Sequence, residues 1–322
     1  MEKNKMVLIM TNQMDAHADC VIEKLQSQNI PYFRFNLDVA SLKNTFVSFK
    51  NGDWIIKNEF GEISTKDVKC VWNRRPSMEL LLNERENLDA GFKIWRTEWN
   101  NTLLEIHNSL KKLPCLNPLR KAYKGENKYY QMDVAKEVGF KMPETLISNS
   151  KDDILEFFKT HEKCIFKLMS QDLYKVDNDY RGLFANVISI DDIEKFGNEE
   201  NPLVFQEYVE KQFEVRYTVV GKEHFVCKID SQKSEKANED WRRYDISHTP
   251  HVAIEPPAEI KEKVDKLMQI LGIEYGALDF IVTPDNKWVF LEINCFGQFL
   301  WIEELTGLNI SDAIVSWLKN HI

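Results

Sequence analysis

Two carboxylates and an amide interrupt an otherwise apolar stretch, LDFIVTPDNKWVFLEIN, near the end of the chain. Residues 277–283 and 288–294 are rich in Leu, Ile, Val, Phe and Trp, and Pro284-Asp285-Asn286-Lys287 between them is turn chemistry, so the stretch reads as a β-hairpin. A two- or four-residue loop sets Thr283 opposite Trp288. Counting outward, Asp279 then faces Glu292, and Asn294 points to the same side. Directly opposed residues bring their Cβ atoms to roughly 4.5–5.5 Å, where like charges destabilise a sheet. Two half-buried carboxylates must therefore take up a proton or hold a cation between them. With the Asn294 carbonyl beside them they form a hard, all-oxygen donor set of the kind magnesium accepts. The competing reading is a partly exposed sheet edge with no ligand.

Cationic side chains are spaced through the preceding residues. Lys128 opens the second part of the chain. Lys167 sits inside the apolar run CIFKLM, where a charge is costly without an anion to meet it. Gln206-Glu207-Tyr208-Val209 crosses from the second part to the third, a place where ligands lodge between domains. Arg216 and Lys228 lie on one predicted hairpin turning at Gly221-Lys222, and that register points them to opposite faces. Arg242 and Arg243 fall in a long polar segment, 231–251. No Gly-x-x-x-x-Gly-Lys-Ser/Thr and no Gly-x-Gly-x-x-Gly occurs, which disfavours a P-loop or dinucleotide fold. Carboxylates suited to metal, together with several cations, point to a bound polyphosphate.

These residues need elements to position them. MVLIM (6–10) reads as a strand and 15–28 as a helix, with strands at YFRFN and VKCVW. A hairpin turns at Lys50-Asn51-Gly52-Asp53, and a helical pattern runs over 83–110. Helices are expected at 126–138, 151–160, 191–197 and 257–271. Strands are expected at PETLISN, KCIFKLM, LFANVIS, PLVFQEYVE, FEVRYTVV and EHFVCKI. Residues 170–182 and 231–251 read as polar connecting segments. The fold class is α/β (α+β), in three parts: 1–115, 116–202 and 203–322.

Composition narrows the class. Hydrophobic residues make up 43% and charged residues 29%, a globular balance, and no apolar run is long enough to cross a membrane. The six cysteines are scattered without a Cys-x-x-Cys, which reads as reduced thiols in the cytoplasm. A net charge of −9 argues against nucleic acid as a partner.

The order Lys128, Lys167, Gln206-Glu207-Tyr208-Val209, Glu214-Val215-Arg216, Asp279, Glu292-Ile293-Asn294 resembles the ATP-grasp ligases along the whole chain. That resemblance implies an N-terminal domain followed by two lobes that clamp ATP. It implies two Mg²⁺ ions on Asp279, Glu292 and Asn294, Lys128 and Lys167 on the phosphates, adenine against residues 206–209, and Glu214 on the ribose. VWNRRP (71–76), DWRRYD (240–245) and EINCFGQFLWIEELTGLNI (292–310) are similar to the ligases that macrocyclise ribosomal peptides, the microviridin or graspetide maturases. Two departures stand out. Residues 170–182 are poor in glycine where many relatives cover the phosphates with a glycine-rich loop. Ala277 stands where ligases for D-alanine carry an arginine, and Arg242 is the candidate to take that role.

The resemblance implies an ADP-forming ligase that phosphorylates Asp or Glu side chains of a precursor peptide with leader and core segments. Ser or Thr hydroxyls, or Lys amines, then displace phosphate to give ω-esters or ω-amides, with the ester favoured. Arg216, Lys228 and Arg242 are the candidates for stabilising charge during transfer. Relatives also imply a homodimer. Two alternatives stay open: an ATP-grasp ligase for an amino acid or a protein tail, and a nucleotide- and peptide-binding protein without catalysis. No residue is singled out as general base, and Trp72–Arg75 either bind substrate or pack a strand end.

Overall fold

A computed structural model describes residues 5–169, 173–176, 179–182, 185–193, 201–234 and 248–322. The first part runs β1 (Met6–Thr11), α1 (Ala16–Ser27), β2 (Tyr32–Asn36), α2 (Val39–Lys43), β3 (Phe46–Lys50), β4 (Asp53–Asn58), β5 (Gly61–Ser64), β6 (Val68–Asn73), α3 (Leu82–Arg85), α4 (Ala90–Leu110) and β7 (Cys115–Leu116). A parallel sheet has the order β2-β1-β6-β7. Both faces of β1 are buried, Val7 and Ile9 toward α1 and Leu8 and Met10 toward α4, as expected of a parallel sheet covered on both sides. A small antiparallel sheet, β3-β4-β5, adjoins it. Its first turn is the expected Asn51-Gly52 pair, both residues at positive φ.

The middle part contains α5 (Leu119–Gly125), α6 (Lys128–Glu137), β8 (Thr145–Ser148), α7 (Lys151–Thr160), β9 (Cys164–Lys167), β10 (Leu173–Val176), β11 (Asp179–Gly182), β12 (Asn186–Ile188), α8 (Ile190–Ile193) and β13 (Leu203–Glu207). Strands β12-β9-β13-β8 form an antiparallel sheet over which α7 packs Ile154 and Phe158. The polar segment 170–182, expected as a connection, contains the antiparallel pair β10–β11. Helix α8 ends at Ile193, and the remainder of the expected 191–197 helix lies outside the described residues.

The last part comprises β14 (Phe213–Val220), β15 (Glu223–Ile229), β16 (His251–Ala253), α9 (Ala258–Leu271), β17 (Tyr275–Val282), β18 (Trp288–Asn294), α10 (Leu300–Thr306) and α11 (Ile310–Lys319). Its antiparallel sheet has the order β16-β15-β14-β17-β18. The period of two divides β14 cleanly. Val215, Tyr217 and Val219 join Leu278, Phe280 and Val282 under α9 and α6. Glu214, Arg216 and Thr218 take the other face and are also buried. Helix α9 stops at Gly272, whose φ of +65° forms the left-handed C-terminal turn.

Helices α10 and α11 return to the first domain. Ile302, Ile314 and Leu318 share one core with Val7, Leu25 and Trp72. Asn117, just after β7, joins the two parts through polar contacts. Its Nδ2 donates to the Tyr275 and Cys295 carbonyls at 2.7 and 2.9 Å. Its Oδ1 accepts from the Glu274 and Tyr275 amides, both at 2.7 Å. One buried side chain thus ties the start of β17 to the end of β18. Asn117→Leu leaves three buried backbone groups and the partly buried Glu274 amide without these bonds and is expected to lower unfolding free energy by about 3 kcal/mol, read from urea denaturation.

Candidate functional site

Asp279 and Glu292 face each other across β17 and β18, as the sequence suggested, but by a different route. The turn is a three-residue one, Pro284–Asn286, with Asn286 at φ 59° and the Thr283 amide bonded to the Lys287 carbonyl at 3.0 Å. Val282, not Thr283, pairs with Trp288. This odd loop would set Asp279 out of step with Glu292. A β-bulge corrects it: Leu291 is the extra residue between the Phe280–Phe290 and Asp279–Glu292 pairs.

Each carboxylate is met from its outer side by a cation. Arg216 lies opposite Asp279 on β14, with Nη1 3.2 Å from Oδ1 and 3.3 Å from Oδ2. Lys128, at the first turn of α6, places Nζ 2.8 Å from Glu292 Oε2. Asn294 Nδ2 is 3.4 Å from Glu292 Oε1. The order across the sheet is therefore guanidinium, carboxylate, carboxylate, ammonium. The Arg216 guanidinium also lies 5.9 Å from the Trp301 ring, and His251 meets that ring edge-on at 5.6 Å.

Sheet edges present unpaired backbone groups, and β18 is an edge strand. Here the segment 126–141 seals it. Gln131 Nε2 donates to the Ile293 carbonyl at 2.8 Å, and its Oε1 accepts from the Ile293 amide at 3.0 Å. One amide side chain thus imitates a neighbouring strand at the residue between Glu292 and Asn294. The Lys141 carbonyl accepts from the Phe290 amide, and a Glu126 carboxylate oxygen accepts from the Cys295 amide. Burial raises the Glu126 pKa, against the Cys295 amide and Lys128, which lower it. Lys128 and Gln131 are three residues apart and so share one helix face. Gln131 carries no charge and stands in a polar helix, so sequence reading passed over it.

The remaining expected site residues divide. Lys167 ends β9, half-buried and opposite Val204. Gln206 bonds the Thr145 hydroxyl at 2.8 Å. Glu207 lies 3.8 Å from His161 Nδ1, and the Tyr208 amide bonds the Lys163 carbonyl. Tyr208 and Val209 leave β13 half-buried, where the chain crosses between the two sheets. Glu214 is buried, with Lys211 Nζ at 3.1 Å. Lys228 lies apart from these residues. It pairs with Val215, on the face away from Arg216, and sits 2.8 Å from Asp230 and 4.7 Å from the Phe213 ring. The structure does not bring it to the carboxylates. Arg242 lies outside the described residues.

Gly297 explains Ala277. A Cβ at Gly297 would stand 2.4 Å from the Ala277 Cβ, so the loop after β18 closes directly over that position. An arginine there has no room. The same loop is held from the first domain. Arg74 Nη1 donates to the Phe296 carbonyl at 2.6 Å, and His17 Nδ1 accepts from the Phe299 and Leu300 amides at 3.4 and 3.2 Å. Tyr275, beneath the loop, donates to the Gly297 carbonyl, and burial pushes its pKa up to about 12. Cations beside acidic oxygens, a crossing between sheets and a tethered loop fit the binding of a metal–polyphosphate.

The family description "MvdD pre-ATP grasp domain" matches residues 6–123. A RiPP-associated ATP-grasp ligase of Chryseobacterium gregarium, solved with ADP and a leader and core peptide, is 28% identical, with 99% of this chain and 97% of that one covered at a TM-score of 0.86. The macrocyclase MdnC of Microcystis aeruginosa MRC, solved with the precursor peptide MdnA, is also 28% identical, with 98% and 99% covered at 0.83. The glutamate–LysW ligase ArgX of Sulfolobus acidocaldarius is 25% identical over 189 residues, 57% of this chain and 64% of that protein. The match thus spans slightly less than two thirds of that relative's length.

Two outcomes are expected. Gln131→Leu removes both bonds to Ile293 and should cost about 2–4 kcal/mol of unfolding free energy, measured with urea. His17 has its pKa lowered to about 4 by burial, then by Arg74, opposed by Asp15, with Arg75 lowering it further. The unfolded chain therefore binds the extra proton between pH 6.5 and about 4. Stability is full above pH 6.5 and falls by up to about 3 kcal/mol as pH drops through that window. His17→Asn, which keeps an acceptor but no titration, should flatten this part of the stability–pH curve.

Proposed function

On the premise that the chain belongs with the RiPP-associated ATP-grasp ligases, we propose that it is an ADP-forming ligase that closes rings in a ribosomally made precursor peptide. The observation that carries this reading is the Arg216–Asp279–Glu292–Lys128 row within a fold matched end to end by such ligases. Asp279, Glu292 and Asn294 are the residues that would hold magnesium. Their oxygens suit a hard cation, and when bound, one or two such ions neutralise phosphate charge.

The chain's own residues do the rest. The crossing at 206–209 receives adenine, Glu214 the ribose, and Lys128 and Lys167 the phosphates. A peptide Asp or Glu carboxylate attacks the γ-phosphorus, the bond to the bridging oxygen breaks, and ADP leaves. Arg216, fixed in register beside Asp279, stabilises charge on the transferring group, and Arg242 is assigned the same task. A Ser or Thr hydroxyl then attacks the acyl carbon, giving up its proton as phosphate departs. A Lys amine would give an amide by the same route, and the ester is favoured. Holding the acceptor close while excluding water lets ring closure outrun hydrolysis.

The likeness to ArgX supports a second reading, a ligase that joins an amino acid to a protein. Co-expression with any short peptide encoded beside the gene separates the two. The first reading expects an intact mass lower by one water per ring, in an ATP- and magnesium-dependent manner, and mild base should restore the water of each ester. An unchanged peptide mass with a folded, ATP-binding enzyme favours the second. Glu292→Gln should reduce ring formation at least a thousandfold with a native melting curve. Full activity in that variant would remove Glu292 from the site.

A further inference from the structure

The parallel sheet of the first domain has its topological switch between β1 and β6. The chain leaves β1 for β2 on one side, while β6 lies on the other. Open α/β sheets bind ligands at such a point, outside the carboxyl ends of the strands. In this protein those ends carry Thr11, Asn12, Asn73, Arg74 and Arg75. The Arg74 and Arg75 amides both bond the Met10 carbonyl, at 3.0 and 2.9 Å, so the two arginines leave β6 together across the end of β1.

Their partners are unequal. The Arg74 side chain is 3% exposed and has the Phe296 carbonyl at 2.6 Å and Asp15 at 3.4 Å. Asp15 also accepts from the Thr11 hydroxyl and caps α1. Glu79 is taken by the Asn12 amide. Arg75 is half-buried, and its Nε is enclosed with no hydrogen-bond partner. Among the described residues it makes no ion pair. Two neighbouring guanidiniums repel, and an enclosed donor without an acceptor costs about 1–3 kcal/mol. A bound anion removes both penalties. His17 supplies no negative charge there: burial, then Arg74 and Arg75, keep its imidazole neutral.

We propose that Arg75, backed by Arg74, forms a second oxyanion subsite at the carboxyl ends of β1 and β6, and that it takes an acidic side chain of the peptide other than the one being phosphorylated. This proposal rests on the peptide-ligase reading. The flat guanidinium fork suits a carboxylate. Its place follows from contacts already described. Arg74 grips the loop that begins one residue after Asn294, and Tyr275 feels both Arg74 and Arg216. The subsite therefore adjoins the phosphoryl-transfer site across that loop. It would hold one acidic residue of the core while another reacts, which sets the spacing between rings.

The test uses the full-length enzyme and a synthetic peptide copying any acidic short peptide encoded beside the gene that the enzyme dehydrates, with each Glu or Asp changed singly to Gln or Asn. Peptide and ADP affinities are measured by calorimetry for wild type, Arg75→Gln and Arg75→Lys, with melting curves as the control for folding. The expected result is at least a tenfold loss of peptide affinity in Arg75→Gln, partial recovery in Arg75→Lys, and ADP affinity within twofold of wild type. One neutralised peptide should lose affinity for wild type and lose no more in Arg75→Gln. Equal peptide affinity in wild type and Arg75→Gln would overturn the proposal. So would a loss confined to ADP, which would assign the arginine to nucleotide phosphate. Wild type that binds no peptide and removes no water from it overturns the functional reading, and this subsite with it. Wild type that forms rings while Arg75→Gln binds peptide unchanged overturns the subsite alone.

Discussion

Two carboxylates placed face to face on adjacent strands are the constraint around which the last domain is arranged. At about 5 Å and an effective dielectric of about 20, two unit negative charges repel by roughly 3 kcal/mol. Left alone, Asp279 and Glu292 would favour another register. Arg216 and Lys128 decide the balance, since each holds a carboxylate oxygen at about 3 Å. Two attractions then outweigh one repulsion. The pair stays together, each carboxylate bound from its outer side. A divalent cation arriving there would compete with both partners, so their cationic side chains stand beside any phosphate it brings.

Holding that pair depends on backbone that an edge strand does not hold well by itself. Strand β18 has β17 on one side only. On its other side a carbonyl, a glutamine and a glutamate satisfy its amides one after another. Gln131 and Lys128 come from the same face of α6, so the helix that seals the strand also charges it. A small shift of α6 would loosen Ile293 and move the ammonium from Glu292 together. The site thus depends on a helix outside the five-stranded sheet as much as on the sheet.

Much of this was legible in the residues. Alternation in FEVRYTVV and EHFVCKI predicts the hairpin and places Arg216 and Lys228 on opposite faces, as observed. The Asp279–Glu292 pairing was also legible, although two local details offset each other: a three-residue loop shifts the register by one, and the Leu291 bulge restores it. Bulges leave no composition signal in a run such as VFLEIN, so only the outcome could be read. Gln131 and Asn117 were invisible for another reason. They act on backbone groups more than 150 positions away in sequence, and nothing local distinguishes them from solvated amides. The segment 170–182 read as a connection because its side chains are polar, while its backbone still pairs as a ribbon.

The first domain is more than a neighbour of the site. Strand β6 runs into Arg74 and Arg75, whose amides bond the Met10 carbonyl of β1, and the Arg74 side chain reaches the Phe296 carbonyl in the loop after Asn294. Gly297 lets that loop lie on Ala277, and Arg74, His17 and Tyr275 hold it there by its carbonyls and amides. Replacing Ala277 with a long cation would lift the loop and break these bonds at once. The close approach therefore excludes an arginine at that position. The first domain thus brings the Arg74 guanidinium to the loop that covers Ala277.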